Sequence, residues 1–392
     1  MDDRIYFDHA ATTPLDPRVR AAMEPFESCA FGNPSSLHRE GRIARDAVET
    51  ARAQVADLIG SSPDEITFTA SGTEADNLAV LGLVASGAKA RVVASAIEHP
   101  AVLKPLRHLA DSGVEVDLLP PDEEGIIRPG VLLEALRRPA SLISVMAANN
   151  VTGVLQPVAE LAAVAKERGA LFHTDAVQAA GKVPLDVNRM HVDMLALSAH
   201  KLHGPKGVGA LFVRAGVRLR PVILGGGQER GLRSATENVA GIVGMGEAAA
   251  IAKREMAAEA SRLVGLRDRL LDGIRAAVPN AYLIGHSYRR LPGHLCLGFA
   301  GQEGEAIRLL LALDEAGAAV SSGSACSADH AGEPSYILRA MGFDPIRARG
   351  SLRLTLGRFS TECEVDRFLE ILPQAVSALR PVATHAAFGV RL

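Results

Sequence analysis

The chain has 392 residues, enough to bury large cores in two or three domains. Apolar residues make up 48% and charged residues 22%, the balance of an ordinary soluble protein. The formal net charge of −3 gives no reason to expect nucleic acid or an anionic membrane as a partner.

The start, MDDRIYFDHAATT, lacks the basic and apolar stretches of a signal peptide. Short β-rich runs then recur at 65–70 (EITFTA), 91–96 (RVVASA), 114–119, 141–147 (SLISVMA), 171–176, 194–199 and 209–214 (GALFVR). Helix-like segments lie between most of the first five, at 73–86, 101–112, 131–138 and 158–168. The last of these puts Val158, Leu161, Ala162 and Ala165 on one face. This alternation predicts an open, mostly parallel, doubly wound sheet with ligands at the carboxyl ends of its strands. The last two runs are close enough to form a hairpin instead. From about Asn238 to Ala277 the sequence reads as long helix, followed by strand-like runs at 282–284, 294–299 and 351–356. That texture predicts a smaller α+β domain. The apolar runs are all strand-length, short of the roughly 18 residues of a membrane span.

Lys201 ends the run DMLALSAHK, and Asp175 ends the apolar run starting at Leu171. Alone, Lys201 reads as a surface lysine at a loop start. A strand-end lysine is also partly desolvated, which frees its amine for imine formation. A buried Asp175 needs a cationic partner, either a structural salt bridge or a protonated pyridine nitrogen. Together the two point to pyridoxal phosphate. The run ASGTE around Gly72 and Thr73 follows a strand and opens a helix, which makes an anion cradle or an ordinary N-cap. His99 also follows a strand. It is placed either over a cofactor ring or in a plain structural role. Arg353 alternates with Leu352 and Leu354, and its guanidinium suits an amino-acid carboxylate. The loop GGGQERG carries Arg230, with Arg233 beyond it, either of which is placed to meet an anion.

The four cysteines, Cys29, Cys296, Cys326 and Cys363, are too scattered for a zinc knuckle or a CxxC pair and suit a reducing compartment. Cys326 sits among small residues in SSGSACS. It is an incidental loop cysteine or, with the cofactor residues, a sulfur carrier. Cys296 lies in an apolar strand and reads as core. No GxGxxG or GxxxxGK[ST] motif follows a strand, which argues against a nucleotide-binding protein.

The ordered matches at 8–14 (DHAATTP), 31–38 (FGNPSSLH), 71–78 (SGTEADNL), 96–102 (AIEHPAV), 173–182 (HTDAVQAAGK), 197–209 (LSAHKLHGPKGVG), 225–238 (GGGQERGLRSATEN), 321–327 and 353–359 run nearly end to end. They resemble the cysteine desulfurases of the NifS/IscS type, in the class V aminotransferase group of fold type I pyridoxal phosphate enzymes. The resemblance implies a large α/β domain over 16–259 with a mostly parallel seven-stranded sheet. It also implies a small α+β domain over 1–15 and 260–392 that carries the cysteine loop at about 321–333.

It further implies that Lys201 holds the cofactor in imine linkage, Asp175 pairs with the pyridine nitrogen, and His99 stacks on the ring and moves protons. Gln178 and Asn150 are then expected near the ring hydroxyl, and Gly72, Thr73, Ser198 and His200 on the phosphate. Thr236 would reach the phosphate of the neighbouring subunit, which implies a homodimer. Arg353, helped by Asn33, would bind the carboxylate of L-cysteine, and Cys326 would take its sulfur as a persulfide while L-alanine leaves. The expected setting is cytoplasmic, with a sulfur-acceptor protein as partner: a U-type iron–sulfur scaffold, an E-type acceptor or a thiolation protein. A selenocysteine lyase or a cystine C–S lyase shares the fold and cofactor, and a cystine lyase needs no Cys326. The chain departs from the pattern at Val151, where the family usually has glutamate, at His9, where asparagine is usual, and by an apparent extra residue within 328–332.

Overall fold

The computed structural model describes residues 4–84, 91–323 and 333–379. At its centre is a seven-stranded sheet. Its strands, in chain order, are β1 (Ile66–Thr69), β2 (Arg91–Ser95), β3 (Glu115–Leu119), β4 (Leu142–Ser144), β5 (Leu171–Asp175), β6 (Met194–Ser198) and β7 (Gly209–Val213). In space they run β1-β7-β6-β5-β4-β2-β3. Strands β6, β5, β4, β2 and β3 pair in parallel, while β7 is antiparallel to both β6 and β1. The mostly parallel sheet and the hairpin between β6 and β7 therefore coexist.

Strands β2, β4, β6 and β7 are buried along their whole length, as a sheet covered on both faces requires. Their alternation sorts side chains between two cores. Val93, Ile143, Phe172, Leu195 and Leu197 face one core, which also takes Val55 and Ile59 of α2 (Arg39–Ile59) and Leu161 of α6 (Val158–Glu167). Val92, Ala94, Met194 and Ala196 face the other, with Leu78 of α3 (Gly72–Val84) and Leu106 of α4 (Pro100–Asp111). Helices α1 (Pro17–Glu27) and α5 (Pro129–Ala135) complete the layers. The edge strand β3 is largely solvent-facing, and its Glu115 and Asp117 meet Arg91 of β2, a charged edge that discourages further pairing.

Helix α7 (Val239–Ala277) has 39 residues, a length of about 58 Å at 1.5 Å per residue. Its first half buries Ile242, Met245 and Ile251 against the large sheet's core, and its second half buries Leu263, Leu266, Leu270 and Ile274 in another. The second core lies on a four-stranded antiparallel sheet of β8 (Ala281–Leu283), β9 (His294–Phe299), β10 (Ser321–Ser322) and β11 (Ser351–Thr355), in the order β10-β11-β9-β8. Helices α8 (Ala306–Glu315) and α9 (Glu362–Ser377) cover it, and the N-terminal Ile5 and Phe7 join the same core. Ile5–Tyr6 also pairs in parallel with Ala318–Ala319. The chain's first residues thus return to its last core, and the segment that follows them is held against the ends of β5 and β6. Among the described residues no helix is long and apolar enough to cross a membrane.

Candidate active site

A cavity of about 440 Å³ opens at the carboxyl ends of β5 and β6. Lys201 enters it from a single 3-10 turn, Ala199–Lys201, just past β6. Its Nζ donates to the carbonyls of Ala10 at 2.5 Å and Ala11 at 2.6 Å, so the DHAATTP segment receives the amine. Asp175 ends β5, 5% exposed. One carboxylate oxygen accepts from Val177 N at 2.9 Å, and no cation lies within ion-pair distance among the described residues. Burial raises its pKa, against the lowering pull of His99, the Val177 bond and Lys201.

The start of α3 forms one wall. Ser71 Oγ accepts from Glu74 N at 3.1 Å, and Glu74 Oε2 accepts from Ala70 N at 2.9 Å, which caps the helix and leaves its first N–H groups toward the cavity. A Cβ on Gly72 would come within 2.6 Å of Val177 Cγ2, so only glycine lets the helix approach this closely. Thr73, Ser198 and His200 line the same end. His200 Nδ1 is 3.1 Å from Thr12 Oγ1, and burial, then Lys201, lowers its pKa to about 4, so it is neutral. His99 caps α4, accepting at Nδ1 from Ala101 N at 3.1 Å, and faces the cavity.

Opposite stands Arg353, in the middle of β11 and 2% exposed. Its Nη1 donates to Asn150 O at 2.9 Å and its Nη2 to Asp8 Oδ1 at 2.8 Å, while its buried Nε has no partner among the described residues. Asn150 and Gln178 also line the cavity. Gln178 Nε2 donates to Ala10 O at 2.9 Å. Ser321, paired with Arg353 across β10 and β11, brings the start of SSGSACS to the cavity wall. Cys326 itself lies outside the described residues.

Two predicted residues stand apart. Asn33 and Thr236 are exposed and do not line the cavity. Arg233 is already paired with Glu74 at 2.8 Å, while Arg230 donates to Ile66 O. Arg358 pairs with Asp16 at 2.7 Å. Cys296 is fully buried, its thiol pushed up to about 12, chiefly by burial, while Cys29 and Cys363 are exposed.

Sequence reasoning missed two further acids, Asp76 and Glu98. Burial raises both well above the usual carboxylate range, with Asp175 adding to the effect. Asp76 Oδ1 lies 3.4 Å from Nε2 of His173, a buried imidazole lowered to about 3, and His173 Nδ1 is 2.9 Å from Ser144 Oγ. Glu98 Oε1 accepts from Met146 N at 2.7 Å. The signal was present in the motifs: Asp76 follows Gly72 by one helical turn, and Glu98 precedes His99.

Two of the three departures have places, and the third, the apparent extra residue within 328–332, lies outside the described residues. Val151 is 1% exposed and packs with Ile97, Ile284, Cys296 and Leu338. His9 is buried edge-on to Tyr6, with its pKa lowered to about 3, chiefly by burial.

The aminotransferase class-V family matches residues 5–368. Cysteine desulfurase IscS of Dictyoglomus turgidum is 45% identical over 387 residues, covering 98% of each chain. A cysteine desulfurase of Cereibacter sphaeroides is 47% identical over 392 residues, covering 99% of this chain and 100% of its own. A solved NifS-like protein superposes with a TM-score of 0.89 at 38% identity, covering 96% of this chain and 100% of that one. SspA in complex with cysteine gives a TM-score of 0.81 at 35% identity, covering 91% and 100%.

Proposed function

The chain belongs to the class V aminotransferase family, alongside the cysteine desulfurases, and from that premise we propose that it converts L-cysteine to L-alanine and passes on the sulfur, with pyridoxal phosphate as cofactor. The observation that carries this reading is the pair formed by Lys201 and Asp175 in one cavity whose end is a glycine-tight helix N-terminus. A buried Asp175 without a cation fits a pyridinium nitrogen. The N–H groups at Gly72 and Thr73, with Ser198 and neutral His200, fit a phosphate. Gln178 and Asn150 fit the ring hydroxyl, and His99 the ring face. Bound there, pyridoxal phosphate supplies an electron sink for charge developing at the substrate's α-carbon.

The chain's own residues supply the rest. Arg353 binds the substrate carboxylate, pre-aimed by Asp8 and the Asn150 carbonyl, and Asn33, outside the cavity of its own protomer, is given no part in that contact. The Lys201 amine moves the α-proton, with His99 as the second proton carrier. The Cys326 thiolate then attacks the substrate's sulfur. A new S–S bond forms, the substrate's carbon–sulfur bond breaks with its electron pair left on carbon, and protonation there gives alanine. Thr236, exposed on its own protomer, suits a reach to the phosphate of a second copy, which makes the working unit a homodimer. The persulfide would go to a sulfur-acceptor protein of iron–sulfur assembly or thiolation, in the cytoplasm.

The test is colour. Wild-type protein loaded with pyridoxal phosphate should show a visible band that borohydride bleaches while fixing the cofactor to Lys201, and Lys201→Ala should lose that band. A full band in Lys201→Ala would sink the assignment.

A further inference from the structure

We propose that Lys182 is a positioning residue for this site, fixing which end of the Gln178 amide faces the Lys201 cavity. The proposal rests on the cofactor reading above. An amide has an acceptor at one end and donors at the other, in nearly the same shape. Here each end has a partner. Gln178 Oε1 accepts from Lys182 Nζ at 3.3 Å, and Gln178 Nε2 donates to Ala10 O at 2.9 Å. The same Ala10 carbonyl accepts from Lys201 Nζ at 2.5 Å. Lys182, Gln178, Ala10 and Lys201 therefore form one continuous line of hydrogen bonds. Reversing the amide would set acceptor against acceptor at Ala10 and, with Lys182 protonated, donor against donor at Lys182. With Oε1 committed, the second N–H of Gln178 is the group left for the cofactor's ring oxygen.

The local fold brings Lys182 back to this line. Gly181 turns the chain in the left-handed region at φ 71°, where a Cβ would press on Ala252 and Leu202 at 3.1 and 3.2 Å. Lys182 N bonds Ala179 O at 3.0 Å in the same turn. The amine then faces a second cavity, behind Lys201, shared with His9, His203, Glu259, His294 and Arg358. Glu259 is the only carboxylate among the described residues lining it, and Arg262 holds both its oxygens, at 2.7 and 3.0 Å. The three histidines are neutral: burial lowers His9 to about 3, His203 to about 4 and His294 well below its ordinary value. Among the described residues the Lys182 amine has one hydrogen bond, to Gln178. Burial, then Lys201 and Arg353, lowers its pKa to about 7, and an amine donates to Oε1 in either state.

The experiment uses full-length protein loaded with pyridoxal phosphate, comparing wild type, Lys182→Met, Lys182→Arg, Gln178→Ala and the Lys182→Met/Gln178→Ala double variant. It reads the pH midpoint of the visible band and the dissociation constant of pyridoxal phosphate. Lys182→Met should raise the midpoint by about 0.7 pH unit and weaken cofactor binding about fivefold, the equivalent of one hydrogen bond. The midpoint rises because a ring oxygen with one donor fewer holds its shared proton more tightly. Lys182→Arg, which keeps a donor, should restore most of both, and the double variant should match Gln178→Ala alone. A wild-type midpoint in Lys182→Met, or effects that add in the double variant, would overturn the proposal. A wild type that forms no visible band at all would instead remove the cofactor reading.

Discussion

Replacing Glu229 with alanine should destabilise the fold by about 3–5 kcal/mol, the usual loss when one partner of a buried ion pair is removed. Glu229 and Arg52 are 3% and 4% exposed and meet through two bonds, at 2.7 and 2.8 Å. Glu229 also accepts from Phe68 N at 2.8 Å, so alanine leaves both a buried guanidinium and a buried backbone donor. Two features temper the loss. Glu49 stays 3.1 Å from Arg52 Nε, and Arg52 keeps its bond to Ile66 O at 2.9 Å. Glu229 itself sits in the left-handed region, φ 48°. Glycine there should therefore be about 1 kcal/mol less damaging than alanine. Urea unfolding of the apo-protein, read as its first transition, measures this. The same loop carries Arg233, which grips Glu74 at the start of α3, the wall proposed to hold the phosphate, so cofactor affinity should fall with stability. A loss below about 1 kcal/mol, or alanine milder than glycine, would refute the reasoning that this pair pins the loop.

Val151→Glu puts a carboxylate among Ile97, Ile284, Cys296 and Leu338, which should lower stability by about 3 kcal/mol at pH 8. Its raised pKa would make the loss shrink as pH falls, and a pH-independent loss would point to packing alone. His203 has its pKa lowered to about 4, mainly by burial. The unfolded chain takes a proton below 6.5 that the folded chain refuses, so stability is lost on acidification from about 6.5 towards 4. His203→Asn, tolerated at φ 63°, should flatten that limb by about 1.4 kcal/mol per pH unit, and an unchanged slope would contradict the assignment. Arg353→Lys should raise the KM for cysteine about tenfold or more, since one ammonium cannot replace a fork held by Asn150 O and Asp8. A KM within twofold of wild type would remove Arg353 from carboxylate binding.

Much of this was legible in the sequence because strand and helix periods are local. The runs around β2, β5 and β6 announced themselves through β-branched and apolar residues, and their ends placed Asp175 and Lys201. What failed to appear was long-range. Helices α1 and α2 were not anticipated, because their buried faces, such as Val48, Val55 and Ile59, gain meaning only against α7 and the sheet. The grouping of residues 1–15 with the last domain came from the family resemblance and not from any local pattern, because the return of Ile5 and Phe7 depends on a pairing across more than 300 residues. Asp76 and Glu98 were passed over because a carboxylate near a helix start reads as surface. Their burial follows from α3 and α4 packing at the sheet's end. The anion role considered for Arg233 gave way to Glu74, a partner that only the folded chain brings near.

The most direct test of the central claim is alanine release from L-cysteine by wild type and Cys326→Ser, both loaded with pyridoxal phosphate, with the Cys326 peptide weighed after turnover without reductant. Wild type should release alanine and carry one extra sulfur on Cys326, and Cys326→Ser should lose both although its visible band is retained. Equal alanine release by the two proteins would contradict the claim and make the enzyme a carbon–sulfur lyase that does not use Cys326.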